Sequence, residues 1–130
     1  MKRFAAIGVL LIAIAGPAKA TEWLNCSDGD KASFSVLLGQ MNVIAVDTVE
    51  IEAGGKKWST RGGDATTITI TKGQAFETPD QIYIDVTDSN VDAIVAQLRL
   101  FKASEGDDQV SAGTLRVTGV GAWAVTCSGS

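Results

Sequence analysis

The chain contains no histidine. That removes Ser-His-Asp and Cys-His nucleophilic machinery, together with zinc sites built on imidazole. Cysteine is nearly as scarce: Cys26 and Cys127 are the only two, too far apart in sequence for a C-x-x-C redox or metal motif. No phosphate-binding loop and no G-x-G-x-x-G occurs, so neither metal nor cofactor is expected. An apolar run of the roughly 20 residues that a membrane-spanning helix requires is also missing. Paired carboxylates are the one general acid–base option left, and Asp28/Asp30, Asp85/Asp88 and Asp107/Asp108 stand close in sequence. Glycosidase chemistry needs two carboxyls about 5–9.5 Å apart in a cleft. Nothing in the residue pattern puts a pair in one, so the chain is expected not to be an enzyme. Asn25, Asp28 and Asp30 place oxygen ligands around Gly29 as in part of a calcium loop, but no glutamate completes it and loop solvation is the simpler reading.

What is present begins with a leader. Lys2 and Arg3 precede an apolar stretch from Phe4 to Gly16, and Ala18-Lys19-Ala20 forms an A-x-A site. This order predicts a secretory signal peptide over residues 1–20, cleaved after Ala20, and a periplasmic mature domain over residues 21–130 with no membrane attachment afterwards. Because Lys2, Arg3 and Lys19 leave with the leader, the mature segment holds eight cations against fifteen acids, a net charge of −7. A field of that sign repels nucleic acid and anionic lipid and favours encounter with cationic partners, besides keeping a small protein soluble.

Along the mature segment the hydrophobic period is mostly two. Ala32 to Leu38, Asn42 to Ala53, Lys56 to Arg61, Thr66 to Lys72, Gln81 to Thr87, Thr114 to Thr118 and Ala122 to Cys127 read as strands, with Gly54-Gly55 as a two-residue hairpin turn and Trp58 facing inward. Residues 91–103 fit two patterns. Val91, Ile94, Val95, Leu98 and Phe101 recur at helical spacing behind a Ser89-x-x-Asp92 box, whereas Ile94, Ala96, Leu98 and Leu100 alternate. The expected fold is all-β, a small antiparallel barrel or sandwich of about 7–8 strands, with room for one short helix near residues 90–104. An even pair of cysteines near the two ends of a secreted chain predicts a Cys26–Cys127 disulfide, and strand 32–38 lying beside the last strand would bring the two together. Trp58 and Trp123 read as core, while Trp23 lies outside the first of these strands and is a candidate binding anchor.

Trp23, Cys26, Asp28-Gly29, Phe34 and Val36 at the opening, and Cys127 at the close, resemble the layout of the periplasmic and membrane-bound C-type lysozyme inhibitors. Those proteins are small secreted β-barrels in which a cysteine following an aromatic is bridged to one near the end. The resemblance implies a barrel and an inhibitor of a peptidoglycan-cleaving enzyme. The inhibitory Ser-Gly-x-x-Tyr motif of that family is missing here, and the single tyrosine, Tyr83, stands in the strand-like Gln81-Ile82-Tyr83-Ile84, so no inhibitory residue carries over.

The expected function is therefore non-enzymatic binding in the periplasm, with a protein partner such as a cationic peptidoglycan hydrolase. The alternatives are an envelope assembly factor acting through an exposed sheet edge and a carboxylate hydrolase. Recognition is expected in loops at one end of the domain: Lys56 to Asp64, with Arg61 between glycine-rich segments, and Glu105 to Asp108, with Asp107 and Asp108 at its tip. Trp23 is the further binding residue.

Overall fold

The computed structural model describes residues 21–40 and 44–129. The predicted leader with its cleavage site, and residues 42–43 of one predicted strand, lie outside them. Nine strands follow in order: β1 (Thr21–Ser27), β2 (Ala32–Gln40), β3 (Ile44–Ala53), β4 (Lys56–Ser59), β5 (Thr67–Glu77), β6 (Gln81–Asp88), β7 (Ile94–Glu105), β8 (Asp108–Val117) and β9 (Gly121–Gly129). Each pairs with its neighbours in sequence, and β1 pairs with β9 to close a barrel. Closure answers the problem of exposed sheet edges.

The count of nine imposes a constraint. A closed ring of an odd number of strictly alternating strands would bring its first and last strands together in parallel. Here β4 and β5 are the parallel pair, Lys57 opposite Thr67 and Ser59 opposite Thr69. That single departure from the expected antiparallel order lets β1 and β9 close antiparallel, with Cys26 directly opposite Cys127. The disulfide forms across this seam, its Cα atoms 4.0 Å apart.

The strand absent from the sequence reading is β1. It inserts between β9 and β2, so the segment beside the last strand is β1 and not residues 32–38. Its residues hide the period because Glu22, Leu24 and Cys26 alternate with Trp23 and Asn25, mixing polar and apolar on both faces.

The expected room for a helix near residues 90–104 is not used; among the described residues there is no helix. β7 takes the segment instead, burying Ala96, Leu98 and Leu100. A helix there would strip β6 and β8 of the ladder that both form with β7, leaving two rows of unpaired backbone groups. The Ser89-x-x-Asp92 box becomes a turn held by Asp88, whose Oδ1 accepts the Asp92 N–H at 2.8 Å while its carbonyl accepts the Val91 N–H at 3.1 Å. This turn forces Val91 to φ 60°, a left-handed conformation that a β-branched residue enters only at a cost of roughly 1–3 kcal/mol. Val91 is 64% exposed, so replacing it sacrifices little packing. Val91→Gly is expected to raise the melting temperature by a few degrees, and Val91→Ala by much less. A thermal scan in which the glycine variant melts below the parent would contradict this.

The Gly54-Gly55 hairpin adopts φ 57° and 75°, the double left-handed turn that suits a tight hairpin, with Ala53 opposite Lys56. A Cβ at Gly54 would also come within 2.7 Å of Val120 Cγ1. The barrel interior is filled by side chains: Phe34 and Val36 from β2, Val49 and Ile51 from β3, Trp58 from β4, Ile84 and Val86 from β6, Leu98 and Leu100 from β7, and Leu115 and Val117 from β8. Trp58 faces in as expected, and Trp123 packs against this core from β9.

Candidate functional site

The packed interior leaves surface features as the places where another molecule can be met, and the two ends of the barrel differ. One end gathers the turns at residues 28–31, 54–55, 89–93 and 118–120. There Asp28 acts as a backbone cap: its Oδ1 accepts the N–H groups of Asp30 at 2.9 Å, Lys31 at 2.7 Å and Ala32 at 3.0 Å. These bonds, led by that from Ala32, hold the Asp28 carboxyl below the usual carboxylate range. The oxygen considered for calcium is thus engaged by its own turn. Asp64 is held low in the same way, chiefly by the Thr66 hydroxyl.

At the opposite end the strands run past the core, and their inward positions turn polar. Glu22, Glu77, Lys102, Gln109 and Ser111 ring a mouth of about 440 Å³, whose floor includes Leu24, Leu38, Ile82 and Cys127. Lys102 Nζ lies 3.1 Å from Glu77 Oε2. A second depression of about 460 Å³ adjoins it and shares Lys102, Gln109 and Ser111, extending to Pro79 and Asp80. The β7–β8 turn beyond adds exposed Glu105, Asp107 and Asp108. Among the described residues of this rim Lys102 is the lone cation, and Glu77 already neutralises it. The remaining acids, Glu22, Asp80, Glu105, Asp107 and Asp108, give this end an uncompensated negative potential.

The residues singled out by sequence are distributed unevenly. Asp107 and Asp108 sit at the mouth end, and half-buried Trp23 lines the mouth. Arg61 does not join them. It follows β4 on the barrel wall, its Nη2 3.2 Å from Glu50 Oε1, and lines a separate cleft of about 400 Å³ with Asp47, Thr48, Ile70 and Lys72. The Lys56–Asp64 segment leaves the hairpin at residues 54–55, at the opposite end from Glu105–Asp108, and runs along the wall as β4 and the loop after it, so the two proposed recognition loops do not share one end. Loop sequence carries no information about which end of a barrel a loop occupies; strand direction decides it.

The wall cleft exists because β4 is short. Its pairing with β3 starts at Glu50 and Thr60 still bonds the Val49 backbone, leaving Ile44–Thr48 without a strand partner on that side, and β5 likewise runs on unpaired there beyond Thr69. Lys72 Nζ reaches across to the Val46 carbonyl at 3.0 Å. Opposite Asp85, β5 bulges at Gly73-Gln74, where a Cβ on Gly73 would come within 2.7 Å of the Asp85 carbonyl oxygen. A lysine and a bulge both blunt an open edge.

Three of the carboxylates noted in sequence are already engaged. Asp28 is taken up by its turn, Asp88 by the Asp92 N–H, and Asp85 by Arg99, whose Nη2 lies 2.7 Å from its Oδ1. Asp28, moreover, is held below the usual carboxylate range by the backbone donors of its turn, the opposite of the raised pKa that a general acid requires. Glu22, Glu77, Lys102, Gln109 and Ser111 escaped sequence reading. Continuing each strand's alternation past its last apolar member, as in Leu98, Leu100, Lys102, would have found several of them. No protein-family model matches the chain, and no curated protein or solved structure matches it.

Proposed function

We propose that the mature domain is a non-enzymatic binding protein of the periplasm that meets a cationic protein, a peptidoglycan-cleaving enzyme being the partner of best-fitting chemistry. The uncompensated acidic rim at the barrel mouth carries this reading. Opposed potentials accelerate encounter and set orientation, and an acidic turn offers carboxylates to arginines on the partner. The signal-like leader and the disulfide are both compatible with an oxidising compartment.

The test is recovery of partners from periplasm on tagged residues 21–130, followed by direct binding to a cationic lysozyme as probe. An inhibitor should recover one hydrolase in equimolar amount and suppress its activity. Replacing Asp107 and Asp108 together by asparagine is expected to lower the association rate severalfold and flatten its salt dependence, whereas Arg61→Ala, on the wall, should leave both unchanged. Binding indifferent to salt and to the double replacement would refute the reading.

A second reading has one observation in its favour. The unpaired stretches of β3 and β5 beside the wall cleft could accept a partner's strand, as an envelope assembly factor would. Lys72 and the Gly73-Gln74 bulge oppose it. If Lys72→Ala created strand-type binding that the parent lacks, the edge would be shown to be closed by design.

A further inference from the structure

The outer face of the barrel carries a feature that neither core packing nor the mouth uses. Phe76, Phe101 and Val110 are 55%, 64% and 65% exposed, on three different strands. Register makes them neighbours. Phe76 on β5 is opposite Tyr83 on β6, their ring centroids 6.3 Å apart. Tyr83 is opposite Arg99 on β7, which places Phe101 on its diagonal. Phe101 is in turn opposite Ala112 on β8, with Val110 on the next diagonal. Four side chains thus form an oblique apolar ridge that ends two residues from Asp108, against the acidic turn.

The Phe76–Tyr83 half of the ridge is also held in place. Asp85 Oδ1 draws Arg99 Nη2 to 2.7 Å, and the Arg99 guanidinium carbon lies 4.8 Å from the centre of the Tyr83 ring, which meets Phe76 at an interplanar angle of 53°. The Arg99 contact is a charge pair without an aligned hydrogen bond to that oxygen, so its effect on the face is to fix the guanidinium over the tyrosine. Aromatic side chains and arginine are the groups enriched at binding hot spots, and rings already fixed lose little freedom when a partner arrives.

We infer that this ridge is the docking surface on which a cationic protein seats an apolar patch, its basic groups reaching the adjoining acidic turn. The inference deepens the proposed function and rests on it. Charge selects the occupant. A second copy of this chain would bring the same acidic turn into a two-fold interface twice, between domains (residues 21–130) each carrying −7. Anionic lipid is repelled by the same field, and a ridge offers no enclosure to a small ligand.

Benzoylphenylalanine placed at 76, 101 or 110 of the full chain, with exposed Ala122 as the control position, tests it by photo-crosslinking in the periplasm. Expected is one protein, identified by mass spectrometry as having a basic mature chain, joined at all three ridge positions and not at 122. With that protein purified, Phe101→Ser should weaken binding tenfold or more and Phe101→Leu less than threefold, with unchanged near-ultraviolet dichroism. Sedimentation equilibrium should give a monomer. Crosslinks to a second copy, to an acidic protein or at 122 alone would overturn the inference, as would full affinity in Phe101→Ser. If that variant binds fully while the Asp107/Asp108 replacement still weakens binding, the ridge fails and the acidic-rim function survives. If binding ignores salt and those aspartates, the reading beneath both fails.

Discussion

Replacing Phe34 by alanine is expected to destabilise the domain by about 3–5 kcal/mol, a large part of the ~5–15 kcal/mol that separates a typical native state from its unfolded chain. Phe34 is completely buried on β2, opposite Cys26 on β1 and Ile51 on β3. Its ring fills space that no neighbour can take over, because the strands around it are fixed by hydrogen-bonded register on both sides. The cost therefore combines lost transfer energy with a cavity that cannot collapse. Urea unfolding followed by tryptophan fluorescence would measure it as a lower midpoint at unchanged slope. Phe34→Leu, which keeps much of the volume, should cost clearly less. A loss below about 1 kcal/mol for the alanine variant, near the average of all point substitutions, would mean that the barrel interior is not packed as described.

Reduction of the Cys26–Cys127 disulfide is the second large effect, expected at about 2–4 kcal/mol. The bond joins residues 101 apart in sequence, and freeing them returns to the unfolded chain the entropy of a loop covering nearly the whole barrel. The folded state contributes a local reason as well. The β1–β9 seam is held by four register pairs, against ten between β7 and β8, so it is the weakest closure of the ring in the vicinity of β1. On reduction, amide hydrogen exchange should quicken first along β1 and β9, before any change in β6 to β8. Protein isolated without reductant that titrates with two free thiols, or oxidised and reduced forms with coincident urea midpoints, would contradict both parts. Because Cys26 lies opposite Phe34, a double replacement should show coupling and fall short of the sum of the two single effects.

The sequence by itself determined the all-β class, the Gly54-Gly55 turn, the inward face of most strands and the partners of the disulfide. These follow from local chemistry: two-residue periodicity buries one face, glycine admits positive φ, and two cysteines have one possible intramolecular pairing. Legibility stopped where the inward face left the core. β1, the far half of β5 and the first half of β8 carry Glu22, Glu77, Gln109 and Ser111 at inward positions, because a barrel mouth tolerates polar groups that a core excludes. Residues 91–103 satisfied two periods at once, and the hydrogen-bonding demands of β6 and β8 settled them as strand from Ile94 onward. Likewise, residue patterns along one chain could nominate Trp23, Arg61, Asp107 and Asp108 singly, but not say that Arg61 belongs to the wall and the aspartates to the mouth. Nor could they align Phe76, Tyr83, Phe101 and Val110, which are scattered over 35 positions and become one ridge through register across β5, β6, β7 and β8. Register is a property of strands paired together, set by closure of the ring and by the parallel β4–β5 step, and therefore only the tertiary structure decides it.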